Sequence, residues 1–283
     1  MTGEIRVVVE ARTRLADDVV EFALRAVAGE ELRYRIALLR RQAGRGGSAR
    51  LHDDIDEGDK LTVRGPRNHF PLEPAARYLF LAGGIGVTSL LTMVRRAAAA
   101  GAEWAMHYGG RSRSTMAYLD ELADVAGGRL TVVPQDESGP LDLAAALDPL
   151  APGTVVYCCG PESMLAAAEA ACAARGLPLR TERFAPKDVA PAAVDRAFTV
   201  TIASTGSEYF VPADRSIADV LPAAGVDLLT SCEEGTCGTC ETTVVAGVPD
   251  HRDSVLTDEE QAAGDRFLPC VSRCLGSRLV LDL

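Results

Sequence analysis

The sequence predicts a multidomain chain built from an all-β unit, an α/β unit with a parallel sheet, and a small α+β module. Three observations carry this. Short strand-like runs broken by charged or Gly-rich turns fill roughly the first 73 residues, strands alternate with helical stretches from Tyr78 onward, and five of the eight cysteines fall in the last 52 residues. With 283 residues, 47% apolar and 24% charged, and a mean hydropathy of +0.07, the chain has enough apolar mass for several cores, which excludes global disorder.

In the first unit the strand-like pieces are Ile5 to Glu10, Val19 to Leu24, Tyr34 to Leu39 and Leu61 to Val63. Between the last two lies GRGGS, Gly44 to Ser48, read as a short loop between strands. Arg45 supplies charge, Gly46 and Gly47 open their N–H groups, and Ser48 brings a hydroxyl, so the loop can cradle a terminal phosphate. A plain Gly-rich hairpin is the competing reading. His52, four residues on, is read as structural, because nothing near it forms a nucleophile and base pair.

The second unit starts with an apolar strand, Tyr78 to Ala82, that runs into GGIG (Gly83 to Gly86) and an Ala-rich helix to about Ala100. Strand and helix then recur: Trp104 to Tyr108 with Thr115 to Val125, Leu130 to Val133 with Leu141 to Leu147, and Thr154 to Cys158 with Glu162 to Arg175. This alternation forms a parallel sheet covered on both faces, whose ligands lie beyond the carboxyl ends of the strands.

The stretch APKDVAPAAVD, Ala185 to Asp195, reads as an extended connector, since its prolines and alanines offer no core. Beyond it come strands near Phe198 to Ala203 and Glu208 to Val211, a helix near Ile217 to Ala223, a Cys-rich loop, and strands at Thr242 to Val245 and Arg278 to Leu283. The expected division is 1–73, 74–186, a linker at 187–197, and 198–283.

Formal charge is −11, and it is uneven: residues 198–283 hold 14 acids against 5 bases, whereas the two earlier parts are nearly balanced. Such a field repels nucleic acid and suits steering toward a basic protein face, although an acidic surface also serves plain solubility. No apolar run approaches the roughly 20 residues needed to cross a bilayer. The first 157 residues lack cysteine, so the late clustering reads as a metal or cluster site in a cytoplasmic protein rather than as a disulfide framework. The chain is expected to act as a monomer, with neither nucleic acid nor membrane as partner.

The most specific signal is SCEEGTCGTC, Ser231 to Cys240, with a later cysteine at 270, a spacing of C-x4-C-x2-C-x29-C. Thiolates this close converge only if the chain wraps around their centre, and Gly235 and Gly238 permit the positive φ that wrapping requires. The wrapped loop also aims N–H groups at sulfur. This is the plant-type pattern for a two-iron, two-sulfur cluster with Cys232, Cys237, Cys240 and Cys270 as ligands. Structural zinc is the alternative metal, and Cys274 competes with Cys270 for the fourth position. Cys158 and Cys172 read as small buried apolar residues.

A cluster of this type passes single electrons, which directs attention to the α/β unit as the source. GGIG, through Gly83, Gly84, Gly86 and the following Thr88, leaves a helix N-terminus open to a pyrophosphate, although glycines there also serve tight turns. At the end of another strand stand Cys159, Gly160 and Pro161, a compact side chain with exposed backbone suited to a flat ring. Arg111 can meet a phosphate or ribose, and equally can be solvated surface. A hydride carrier delivers electrons in pairs, so a flavin is needed to divide them.

These pieces together resemble the phthalate dioxygenase reductase type of protein, which includes the reductase component of vanillate O-demethylase. The matching stretches are GRGGSARLHD, GPRNHFPL, LAGGIGVTS, MHYGGRSRS, YCCGPESM, ERF, SCEEGTCGTC, DHRDSVL and FLPCVSRC, which span nearly the whole chain. The resemblance implies a flavin-binding β-barrel holding FMN with its phosphate at GRGGS, an α/β NADH domain using Gly83, Gly84, Gly86 and Thr88, and a β-grasp ferredoxin domain. It further implies Cys159 beside the nicotinamide, Glu182 and Phe184 near the flavin–nicotinamide junction, and an oxygenase partner. Electrons would run from NADH to FMN, then singly through the 2Fe-2S cluster to a Rieske-type oxygenase.

One departure stands out. The resemblance implies some 30 further residues before the strand at Tyr34 to Leu39, with an Arg-x-Tyr-Ser motif that holds the flavin, and no such motif occurs in this chain. A six-stranded barrel that loses two or three strands cannot close. The sequence reading favours a segment missing near Leu32 and Arg33 over a crippled flavin site. Ser89, where a Pro is common in the family, is read as a tolerable first-turn residue. The competing functions are the same reductase serving a cytochrome P450, a ferredoxin-like carrier with a degenerate flavin domain, and a zinc-stapled module without redox activity. NADH over NADPH rests on the resemblance alone, since Arg111 and Arg113 suit a 2′-phosphate equally.

Overall fold

The structure, a computed structural model, describes residues 4–27, 33–41, 46–126, 129–148, 150–187 and 195–283. Two compact units emerge, Met1–Glu182 and Arg183–Leu283.

The first unit opens with β1 (Glu4–Ala16), β2 (Val19–Ala26), β3 (Arg33–Leu39), helix α1 (Gly47–Asp54) and β4 (Lys60–Arg64). The sheet order is β3-β2-β1-β4, antiparallel throughout. β2 and β3 pair without a break from Val19↔Leu39 to Arg25↔Arg33. Among the described residues the sheet therefore has four strands and does not close: β3 and β4 are its ends, an incomplete half-barrel. The expected gap at Leu32–Arg33 falls partly outside the described residues, but the register on either side is continuous.

Four strands survive unclosed because both faces are covered. Val7, Val9, Val20, Phe22 and Leu24 form a buried cluster against which Leu51 and Ile55 of the α1 segment pack. On the opposite face Leu15, Ala16, Val19, Ala37 and Leu39 join the apolar core of the following α/β part. A polar node secures that second contact. Arg35 donates to Glu21 (2.8 Å) and to Glu121 (2.9 Å), and the Tyr118 hydroxyl donates to Glu21 at 2.5 Å. Buried Glu21 thus has one oxygen, Oε2, doubly hydrogen-bonded, which compensates its removal from water. The exposed edges carry Arg33, Arg35, Lys60 and Arg64, charges that discourage edge-to-edge association.

The described part of GRGGS, Gly46 to Ser48, is not a simple loop between strands. Gly47 begins α1, and Gly46, at φ 85°, is its N-cap. Only Gly can take that backbone without strain, so the glycines here start a helix instead of turning between strands. Arg45 lies outside the described residues. His52 is structural, its ring 2.8 Å from the Leu38 carbonyl.

The α/β part comprises β5 (Arg77–Gly83), α2 (Val87–Ala99), β6 (Glu103–Gly110), α3 (Leu119–Ala126), β7 (Leu130–Pro134), α4 (Gln135–Ser138), α5 (Leu143–Leu147), β8 (Thr154–Cys159), α6 (Glu162–Arg175) and β9 (Leu179–Glu182). All five strands are parallel, in the order β7-β6-β5-β8-β9. Alternate residues serve opposite faces: Tyr78, Phe80, Met106, Tyr108 and Tyr157 face α2 and α3, while Leu79, Leu81, Val156 and Cys158 meet Leu147, Leu165 and Cys172. Cys158 and Cys172 are buried packing residues, as their sequence context indicates.

Three details differ from expectation. The helix foreseen from Thr115 starts at Leu119, because a 3-10 turn at Arg113–Thr115, closed by a capping box from Ser112, and the positive φ of Tyr118 intervene. The helix foreseen from Leu141 starts at Leu143, where Asp142 caps it by accepting from the Ala145 N–H. Strand β9 had no sequence signal beyond ERF, its four residues being too short and polar to register.

The second unit contains β10 (Phe198–Ile202), β11 (Glu208–Val211), α7 (Ile217–Ala223), β12 (Thr242–Ala246), β13 (Pro249–Asp250), α8 (Asp258–Ala263), β14 (Arg266–Phe267), β15 (Arg273–Cys274) and β16 (Arg278–Leu281). The main sheet runs β11-β10-β16-β12-β14, with β10 and β16 parallel. Ile217 and Leu221 of α7 pack on Val200, Leu279 and Leu281. Buried Arg273 donates to the carbonyls of Arg196, Pro212 and Arg215 and lies over the Phe198 ring, tying the start of β10 to the loop before α7. Of the connector, residues 188–194 lie outside the described residues.

The switch point of the parallel sheet depends on Gly86, where an added Cβ would fall 2.1 Å from the Cys159 carbonyl oxygen. Gly86→Ala forces the two strand ends apart and is expected to cost about 1–3 kcal/mol. A lowered thermal midpoint checks this, and an unchanged one would refute the close approach.

Candidate functional site

The crevice lies where strand order reverses, between β5 and β8, at the carboxyl ends of the strands. Gly83, Gly84 and Gly86 leave β5 and begin α2, with Gly84 at φ 54°. A Cβ on Gly83 would strike Pro161 at 2.6 Å and Met164 at 2.7 Å, and Gly160 lies against Gly83 with equally little room. The glycines are thus required by close backbone approach, which leaves a cradle of N–H groups at the α2 N-terminus for a pyrophosphate. The Thr88 hydroxyl donates to the Ile85 carbonyl at 2.9 Å and fixes the first turn. The residues present fit a dinucleotide.

Register places Cys159 between Ala82 and Glu182 across β5, β8 and β9. Ser89 stands with them. Its hydroxyl donates to the Glu182 carboxylate and lies 3.8 Å from the Cys159 sulfur. Burial pushes the Cys159 thiol up to about 12, so it is a neutral, compact wall. Burial likewise raises Glu182, and the Ser89 hydrogen bond offsets part of that rise. Sequence reading missed Ser89; its only signal was the replacement of a Pro by a residue with a hydroxyl. Arg111 is exposed, whereas Arg113 is paired with Glu137 at 2.9 Å. Phe184 belongs to the second unit and is 44% exposed.

At the phosphate cradle, Gly46 and Gly47 have open space around them and Ser48 opens the first turn of α1. Ser48 Oγ accepts from the Arg41 N–H at 3.1 Å, which leaves its own proton free to donate. This end fits a phosphate. Among the described residues, however, the half-barrel supplies no further strand to wall an isoalloxazine, so the fit to FMN is partial.

In the second unit the loop from Ser231 to Cys240 is a run of bends with positive φ at Glu233 (55°), Gly235 (69°) and Gly238 (67°). Gly235 is pressed against Val271 and Asp253. Cys232 Sγ accepts from the N–H groups of Glu234 and Thr236, and Cys237 Sγ from that of Thr239, each at 3.4 Å. Burial works against a Cys232 thiolate, but the hydrogen bonds from Thr236 and Glu234 win and bring it down to about 7. Neighbouring thiols act on one another: Cys237 helps lower Cys232, and Cys270 helps raise Cys240. Among the described residues no three or more such groups gather on a single ion. The spacing C-x4-C-x2-C with a distant fourth cysteine suits a two-iron cluster better than the paired C-x2-C spacing of zinc sites. Cys274 sits apart, its sulfur 3.4 Å from the Arg278 carbonyl and packed against the sheet. None of the eight cysteines is in a disulfide.

Comparison with known proteins agrees with this layout. Residues 80–170 match the oxidoreductase NAD-binding domain family, and residues 200–275 the 2Fe-2S iron-sulfur cluster binding domain family. The chain is 47% identical over 259 residues to phenoxybenzoate dioxygenase subunit beta of Ectopseudomonas oleovorans, covering 90% of this chain and 80% of that one. Phthalate dioxygenase reductase superposes with a TM-score of 0.68 at 32% identity, covering 99% of this chain and 98% of the other. An intact type IV self-sufficient cytochrome P450 monooxygenase gives 0.90 at 36% identity, with 99% of this chain matching 41% of that longer one. Fold and site define an NADH-dependent flavin and iron–sulfur oxidoreductase. The chain belongs to the phthalate dioxygenase reductase-type family. No described helix is long and apolar enough to cross a membrane.

Because the folded state holds the Glu182 proton above the ordinary 4.5, stability should fall as pH rises from 4.5 through the raised value. Glu182→Gln removes that slope, so its melting temperature should exceed the parent's at pH 7 and converge with it below pH 4.5. Ser89→Ala, which removes that hydrogen bond, should steepen the slope. Parallel melting curves for all three across this range would refute the assignment.

Proposed function

We propose that the chain is a reductase component that passes electrons from NADH through FMN and a 2Fe-2S cluster to a Rieske-type aromatic oxygenase or O-demethylase. The observation that carries this is the presence, in one chain, of a dinucleotide crevice lined by Cys159, Glu182 and Ser89 and of a loop whose neighbouring thiols act on one another. The functional division follows 1–73, 74–186, a linker at 187–197, and 198–283.

In this reading Gly83, Gly84, Gly86 and Thr88 hold the pyrophosphate at the α2 N-terminus, and Gly160 and Pro161 leave the backbone beside Cys159 open to the nicotinamide. Neutral Cys159 keeps water from the reacting face, while Ser89 orients the Glu182 carboxyl. Arg111 meets the cofactor's phosphate or ribose. Gly46, Gly47 and Ser48, with Arg45, receive the flavin phosphate. A flavin supplies the conversion of a hydride pair into single electrons. Cys232, Cys237, Cys240 and Cys270 hold the irons, and the N–H groups of Glu234, Thr236 and Thr239 stabilise the negative charge that reduction adds. Thiolates kept reduced for a cluster fit a cytoplasmic location.

A cytochrome P450 as partner is the second reading, favoured by the superposition on the self-sufficient P450. Transfer assays against a Rieske-type oxygenase and a P450 separate the two.

An absorption spectrum taken before and after anaerobic NADH addition is the direct test: cluster bands that bleach support the reading, and iron-free protein ends it. Cys237→Ser should abolish one-electron transfer to a partner yet preserve NADH-dependent flavin reduction. With Arg113 paired to Glu137 and only Arg111 open, NADH should exceed NADPH in kcat/KM; a preference for NADPH would reverse the cofactor choice.

A further inference from the structure

We propose that His69 is a positioning residue of the nicotinamide crevice, set against the Glu182 carboxyl so that a carboxylate faces the ring; this rests on the dinucleotide reading above and deepens it.

The segment GPRNHFPL, Gly65 to Leu72, leads from β4 toward β5 and is pinned onto β8 and β9. Buried Phe70 packs on the Tyr157 ring at 5.5 Å and shares a core with Cys159. The Tyr157 hydroxyl donates to the Pro71 carbonyl at 3.1 Å and accepts from the Glu73 N–H at 2.8 Å. Glu73 in turn accepts from Arg180 at 2.8 and 3.0 Å. Tyr157 and Arg180 are register partners, and two residues further along the same strands stand Cys159 and Glu182. Glu73 therefore marks the lower level, and the chain behind it climbs toward the carboxyl ends of the strands. A turn in which the Asn68 side chain accepts from the Phe70 N–H at 3.1 Å fixes His69 between them, exposed while Phe70 points inward.

There His69 acts on Glu182. Burial pushes that carboxyl up, and the Ser89 hydrogen bond and the charge of His69 pull it back. The neighbouring ionisable groups are engaged or neutral: Arg180 is held by Glu73, Arg67 folds back over Gly65, and burial keeps the Cys159 thiol protonated. His69 thus supplies the positive charge that a half-buried carboxylate needs, while Ser89 fixes its direction. NAD+ carries a positive charge on its ring that NADH lacks. An ionised Glu182 therefore holds the oxidised form more tightly, whereas a neutral one does not distinguish the two.

Equilibrium binding of NAD+ and of NADH to the full chain with its cluster in place, measured by calorimetry at pH 6, reads this directly. His69→Gln should weaken NAD+ binding about threefold and leave NADH binding nearly unchanged. His69→Arg, which keeps the charge, should bind both as the parent does. In a Glu182→Gln background the His69→Gln substitution should be silent toward NAD+, since the carboxylate it serves is gone. Equal weakening of NAD+ and NADH, a loss that persists without Glu182, or an Arg variant that behaves like the Gln variant would overturn the inference and leave the dinucleotide reading intact. A parent chain that holds its cluster yet binds neither nucleotide would overturn both.

Discussion

The structure depends on the contact of two backbones at the centre of the parallel sheet. Gly86 approaches the Cys159 carbonyl where any side chain would collide, and a side chain on Gly83 would meet Pro161 and Gly160. This contact brings the end of β5, the start of α2 and the end of β8 to one point, and so creates the crevice. A parallel sheet leaves its helix N-termini unpaired at the carboxyl ends of the strands, and the reversal of strand order there opens space between them. Cys159, Ser89 and Glu182 come from three different segments and meet only because that point is held.

A second constraint is the attachment of the open sheet. Four antiparallel strands with two free edges would not be expected to persist alone, and here they are held by the α1 segment on one face and by the α/β core on the other. Arg35 bridging Glu21 and Glu121, with Tyr118 donating to Glu21, fixes the orientation at that contact. The arrangement accounts for a sheet that is covered on both faces although, among the described residues, it does not close, and it places the start of α1 beside β3.

The cysteine loop was legible in the primary sequence because its chemistry is local. Cys232, Cys237 and Cys240 fall within nine residues, and Gly235 and Gly238 adopt the positive φ that such wrapping demands. The GGIG and CGP segments were equally readable, since a tight strand-to-helix turn constrains residue type at adjacent positions. Gly46 to Ser48 read as part of a loop between strands, yet they start a helix: Gly-rich composition marks a helix start as readily as a turn, and the packing of Leu51 and Ile55 on a distant sheet decided between them. Strand β9 escaped notice because four residues carry no periodicity, and Ser89 because its partner lies 93 residues away.

Residue order alone determined the division into β, α/β and α+β parts, the strand–helix alternation and the candidate thiol ligands, because these follow from periodicity, turn chemistry and short spacings along one stretch of chain. Tertiary structure alone decided that the N–H groups of Glu234, Thr236 and Thr239 reach the cysteine sulfurs, that Ser89 reaches Glu182, and that the first sheet does not close among the described residues. Each of these depends on distances that packing sets and composition does not encode.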